Sequence, residues 1–158
     1  MKSTIGVLLI FFSILILANC KKEKAGPPFL SDTNIYSLTR NVNERNYYKN
    51  GQLISPLGNS PHPSFTLWLN NKAASVLDLS DELPIGAVFP DSSLIVKQIG
   101  GSALTQLAVM YKLNETWYWG EYAPNGDVVV GIGKGGSDCI NCHSQSGNRD
   151  YTVTYTLH

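Results

Sequence analysis

After Met1-Lys2-Ser3-Thr4 the chain runs through fourteen residues without a charge, Ile5 to Ala18 (IGVLLIFFSILILA). That falls short of the roughly 20 apolar residues that span a bilayer. It has the length of the apolar region of a secretory signal peptide. From Asp32 onward the pattern changes. Ile35, Leu38, Val42 and Tyr47 recur at roughly helical spacing, with Asp32 or Thr33 available as a cap and Gly51 as a stop; this predicts a helix over 32–50. Gly51 to Pro63 is rich in Pro, Gly, Ser and Asn and reads as loop. Ser64 to Asn70 (SFTLWLN) alternates, with Phe65, Leu67 and Leu69 on one face of a strand. Lys72 to Leu79 reads as a short helix and Glu82 to Pro90 as a turn-rich connection.

Period-two alternation then dominates. Strands are predicted at Ser93–Ile99, Leu104–Leu113 and Trp117–Ala123, and Pro124-Asn125-Gly126-Asp127 is a hairpin turn leading back through Val128–Ile132. Asp150 to Leu157 (DYTVTYTL) alternates again and is expected to close the sheet. Successive strands with short turns predict an antiparallel sheet with a few helices, an α+β domain. Alternation puts Ile95, Lys97 and Ile99 on one face of their strand and Leu94 and Val96 on the other. With both faces apolar, this is an inner strand.

Composition narrows the function classes. The 158 residues suit one domain, and 43% hydrophobic with 15% charged residues is a globular balance. Lys+Arg and Asp+Glu are both 12. No basic excess exists to hold a phosphate backbone, which argues against a nucleic-acid partner. Heptads and internal repeats are absent, which excludes coiled coils and solenoids.

The three cysteines carry the most information. Leu17-Ala18-Asn19-Cys20, followed at once by Lys21-Lys22-Glu23-Lys24, resembles a bacterial lipoprotein signal. On that reading 1–19 is the signal peptide, Cys20 is lipidated, and 20–31 is a tether. Residues 32–158 are then a domain held at the cell envelope, on the periplasmic or outer-membrane side, through a membrane anchor. The other two cysteines stand in Cys139-Ile140-Asn141-Cys142-His143, the C-x-x-C-H attachment motif of c-type haem. Two thiols must reach the two vinyl groups of one porphyrin edge, and the next residue must offer an imidazole to the iron. Positions i, i+3 and i+4 of a helix share a face, so a helical turn capped by Ser137 or Asp138 would aim all three together. A haem-free chain with a Cys139–Cys142 disulfide is the competing reading. A zinc site is another, but zinc needs about four ligands, and only His62 and His158 remain as imidazoles, each far away in sequence.

Other residues are candidates for the chemistry. Lys97, on an inner strand, must reach solvent, pair with an acid or work; a desolvated lysine is easier to deprotonate and more nucleophilic. Trp117, Tyr118, Trp119 and Tyr122 either wall a pocket or pack the strand. Glu121 shares a face with Trp117 and Trp119, and is either a proton-shuttling carboxylate or a solvated strand-end acid. Arg149 is a candidate partner for a haem propionate on charge grounds. Met110 reads as core, and His62 and His158 as weak candidates for a sixth iron ligand, which leaves that position open to a small ligand. Gly131 to Ser137 (GIGKGGS) lacks the order of a phosphate loop; its glycines read as letting backbone approach a porphyrin.

Taken in order, FPDSSLIVKQ (Phe89–Gln98), LAVMYKL (Leu107–Leu113), WYWGEY (Trp117–Tyr122), CINCH (Cys139–His143) and RDYTVTY (Arg149–Tyr155) resemble the cytochrome P460 family and its relatives, the β-sheet type of cytochrome c′. The resemblance covers roughly Ser64 to His158. It implies an α+β mono-haem domain, often a homodimer, with one five-coordinate haem c that is bonded covalently to Cys139 and Cys142 and ligated at the iron by His143. In the P460 proteins a strand lysine also bonds to the porphyrin rim, and Lys97 matches it in position. The implied activity is haem-dependent oxidation of hydroxylamine or a similar small nitrogen compound, with a redox partner protein. The alternative is non-enzymatic NO binding or electron transfer at the same site.

Overall fold

A computed structural model describes residues 29–55 and 62–153. The signal peptide, Cys20 and the tether up to residue 28 lie outside the described residues, as do 56–61, the second half of the predicted last strand and His158. The elements are α1 (Asp32–Thr39), β1 (Asn46–Tyr47), β2 (Phe65–Leu69), α2 (Asn71–Ala74), β3 (Leu94–Ile99), β4 (Gln106–Leu113), β5 (Thr116–Tyr122), β6 (Val128–Gly133) and α3 (Ser137–His143). The strands form one six-stranded sheet in the order β1-β2-β3-β4-β5-β6, every neighbouring pair antiparallel. This is the α+β architecture with a mostly β character. Among the described residues no helix is long and apolar enough to cross a membrane.

β3 sits between β2 and β4 and buries both faces, as its sequence predicts. Ile95 and Ile99 join a core on one side of the sheet with Phe65, Met110, Trp117 and Trp119. Leu94 and Val96 join a second core on the other side with Ile35, Trp68, Val109 and Tyr122. Register aligns Lys97 with Leu67 and with Ala108, and Ala108 with Glu121. Lys97 and Glu121 therefore lie in one cross-strand row, with Ala108 between them.

Helix α1 is shorter than its sequence suggests. It begins at a Ser31 cap, whose side chain accepts from the backbone N–H of Asn34. It ends at Thr39, and the chain goes on through a 3-10 turn (Val42–Glu44), the two residues of β1, and a second turn in which Lys49 and Asn50 have positive φ. Of the four apolar positions that suggested a helix over 32–50, Ile35 is buried while Val42 and Tyr47 are exposed. The run Arg40-Asn41-Val42-Asn43-Glu44-Arg45-Asn46 offers side chains that compete with helical backbone bonds. Arg45 Nη2 donates to the Thr39 carbonyl at 2.7 Å, and Asn46 Nδ2 to the Leu69 carbonyl at 3.2 Å. α1 is docked on the sheet edge by Asp32, whose Oδ1 accepts from the Ile132 backbone N–H (2.7 Å) and the Tyr122 hydroxyl (3.1 Å).

Helix α2 begins one residue earlier than expected and is a single turn. Asn70 caps it by accepting from Ala73 N–H, and the same oxygen accepts from Leu94 N–H, both at 3.0 Å. The predicted strand at Asp150–Leu157 is corrected over its described part. Residues 149–152 are a tight turn with an isolated bridge between Arg149 and Thr152, and among the described residues β6 is the last strand of the sheet. Alternation alone cannot distinguish a strand from a turn whose central residues take left-handed backbone.

Candidate functional site

The site is built on α3 and on the sheet face that carries Trp117 and Trp119. Gly136, rather than Ser137 or Asp138, occupies the cap position; it has no side chain to cap with, while Asp138 supplies a negative charge to the first turn. Cys139, Cys142 and His143 share the helix face that their spacing predicts. Both thiols are free and half-buried. Cys139 and Ile140 pack against the first core, and His143 is 8% exposed. Asn148 Nδ2 donates to the carbonyls of Cys142 and His143, both at 3.0 Å, closing the C-terminal end of the helix.

The imidazole has a defined orientation. His143 Nδ1 lies 2.6 Å from the Tyr151 carbonyl oxygen. A carbonyl can only accept, so Nδ1 carries the proton and Nε2 keeps its lone pair. Burial pushes the His143 pKa down, the Tyr151 bond opposes this, and the Lys97 charge pushes it down further. In its neutral form the ring leaves Nε2 open as an acceptor. Trp119 meets it edge-on, ring centroids 6.1 Å apart, and meets Tyr151 at 6.3 Å. Trp119 Nε1 is buried with no acceptor among the described residues.

Lys97 and His62 complete the neighbourhood. The Lys97 ammonium sits 4.7 Å from the Phe65 ring centroid. Burial pushes its pKa down to about 8, and Cys142 opposes the shift. Burial pushes His62 down to about 4, and the charges of Lys97 and His143 add to this. Lys97 is therefore within electrostatic reach of Cys142, His143 and His62, and His62 of His143. Glu121 shares the cross-strand row of Lys97 but is engaged by Gln106 Nε2 at 2.5 Å. Arg149 donates to the Leu83 carbonyl at 2.5 Å and lies 3.8 Å from Glu82. Met110 is buried in the core of this face, as its apolar strand predicts.

Gly135 makes the close approach of α3 to the sheet possible. Its φ is +82°, and a Cβ there would stand 2.7 Å from Trp119 Cε3 and 3.3 Å from Cys139 Cβ. Gly135→Ala is expected to destabilise the fold by about 1–2 kcal/mol, from left-handed strain and the clash together. It should also displace Trp119, read as a shifted tryptophan emission maximum. Unchanged stability and emission would show that the loop does not need glycine here.

Among the described residues no group of three or more His, Cys, Asp or Glu is placed to hold a metal ion. A haem iron asks less of the protein, since the porphyrin supplies the in-plane ligands. An open cleft of about 520 Å³ adjoins the segment after α3, lined by residues 85–88 and 147–150; it includes none of Cys139, Cys142 or Lys97. No protein-family model, no curated protein and no solved structure matches the chain. The functional reading therefore rests on the residues themselves. Tyr151 and Asn148 were not singled out as site residues in the sequence, although Tyr151 lies within RDYTVTY. A further clue to Tyr151 was its nearness in the chain to His143.

Proposed function

We propose that this chain is a lipid-anchored, mono-haem c-type cytochrome of the cytochrome P460-like type. In this reading Cys139 and Cys142 hold one haem c through thioether bonds and His143 ligates the iron. The bound haem would take a small nitrogen compound such as hydroxylamine or NO. The observation that carries the reading is the 2.6 Å bond from His143 Nδ1 to the Tyr151 carbonyl. An imidazole pinned at Nδ1 by a carbonyl, with Nε2 free, is the usual preparation of a metal-ligating histidine. Two free, half-buried thiols on the same helix face are available for the two thioether bonds. The bound group would supply an iron that changes valence and holds a small ligand.

The protein's own contributions follow from its geometry. His143 is the fixed ligand, and Trp119 screens it from water. Lys97, whose pKa burial lowers to about 8, gives up its proton more readily than an exposed lysine and is a candidate nucleophile or proton donor beside Cys142. A redox partner protein at the envelope would exchange the electrons. A second reading, a non-enzymatic NO-binding or electron-transfer cytochrome, is favoured by one feature. The Lys97 ammonium already rests over the Phe65 ring, a satisfied cation–π position that needs no bond to the haem.

The deciding experiment is an absorption spectrum with intact mass on the mature protein from a host that attaches haem c. A Soret band and the added mass of one haem are expected. A ferrous band displaced far to the red, with evidence of a third protein–haem bond, selects the cross-linked enzyme. A conventional c-type spectrum, and no turnover of hydroxylamine with a competent electron acceptor, selects the second reading. A colourless protein whose mass is that of polypeptide and acyl chains alone defeats both.

A further inference from the structure

Asp150 and Tyr151 adopt a backbone that their side chains disfavour. Their φ angles are 46° and 64°, and the Thr152 N–H donates to the Arg149 carbonyl at 2.9 Å. Turns with two left-handed central residues are ordinarily made by Asn-Gly or Asp-Gly. A tyrosine in such a position costs on the order of 1 kcal/mol or more and persists only where its surroundings over-determine it. Here the surroundings act through the Asp150 carboxylate. Its Oδ2 accepts from Lys112 Nζ at 2.7 Å and from the Phe89 backbone N–H at 2.7 Å. The side chains of the ion pair are 6% and 9% exposed. Lys112 belongs to β4, beside Trp117. One buried carboxylate thus ties a strand, the 89 loop and the turn together. A buried pair of this kind gives little net stability, so its geometrical consequence is the informative part: the Tyr151 carbonyl is aimed at His143 Nδ1.

We infer that Lys112 and Asp150 are positioning residues for His143, their buried ion pair locking the 149–152 turn so that Tyr151 holds the proton on Nδ1 and leaves Nε2 to a ligand. The inference deepens the haem reading and rests on it for the role of Nε2, while the tautomer itself can be measured without any haem. A donated Nδ1–H bond raises the basicity of a metal-bound imidazole, which favours ferric over ferrous iron. Loosening the turn weakens that preference.

The test uses the full chain in two forms, produced without and with haem-c maturation. The variants are Asp150→Asn and the double variant Lys112→Met/Asp150→Asn, which strands no buried charge and so is expected to fold even where the single variant does not. In the haem-free chain, nitrogen-15 correlation spectra of the His143 ring should show one Nδ1–H tautomer in the wild type. In the variants they should show a mixture, with the Nδ1 proton exchanging at least about tenfold faster. In the haem-loaded chain, a tenfold weaker ferric preference, the low end for such outer partners, appears as a midpoint potential raised by about 59 mV for one electron. Asp91→Asn is the control: it unties the Asn114–Glu115 turn, whose N–H groups Asp91 accepts at 2.9 and 2.8 Å, and should leave tautomer and potential unchanged. A single Nδ1–H tautomer with wild-type exchange in the double variant overturns the inference. So does an equal response to Asp91→Asn. A wild type that takes up no haem defeats the cytochrome reading instead, and the tautomer comparison still decides the role of Lys112 and Asp150.

Discussion

Replacing both Cys139 and Cys142 by alanine is expected to abolish covalent haem while leaving the protein folded. Each thiol is half-buried rather than central to the core, so its loss costs about 1 kcal/mol. Helix α3 keeps its other supports: Ile140 against the core, Asn148 across its last carbonyls and His143 on Tyr151. Intact mass should fall by one haem beyond the change in side chains, and colour should be extractable with acidified organic solvent. The far-ultraviolet dichroism should remain that of the parent. Each single variant should keep one thioether bond, because the two thiols sit on one helix face one turn apart. Haem that stays covalently attached in the double variant would mean that the linkage is made elsewhere, with Lys97 the first residue to examine.

Trp68→Ala should have the largest effect on stability and almost none on the site. Trp68 is 1% exposed and stands in register with Tyr47 on one side and Val96 on the other. The Arg45 guanidinium lies 5.1 Å from its ring centroid. Truncating a buried tryptophan costs about 3–5 kcal/mol, a large share of the roughly 5–15 kcal/mol available to a domain. The ring belongs to the core on the sheet face opposite Trp119 and Cys139. Urea denaturation should show a much lower midpoint with an unchanged slope, and the absorption spectrum of the haem-loaded protein should be that of the parent. A shifted spectrum would show that the two faces of the sheet are coupled.

Local patterning alone accounts for most of the sheet and for half of the site. Strands β3 to β6 follow from period-two alternation and short turns, because each pairs with its sequence neighbour and needs no long-range information; β2 follows from alternation, but its pairing with β3 spans a long connection that includes α2. The inner position of β3 follows from two apolar faces. The common face of Cys139, Cys142 and His143 follows from helical spacing within five residues.

What tertiary structure decided is everything that joins distant parts of the chain. The end of α1 is not set by spacing, which continues past Thr39 while burial does not: Val42 and Tyr47 face solvent. The start of the strand expected from Asp150 is a turn, where a lysine 38 residues away in β4 binds the Asp150 carboxylate and the backbone takes angles that no composition marks. His62, isolated between two prolines in the sequence, is brought within the electrostatic reach of Lys97 and His143. Spacing can place an imidazole on a helix face, but which of its nitrogens carries the proton depends on an acceptor that only the folded chain supplies.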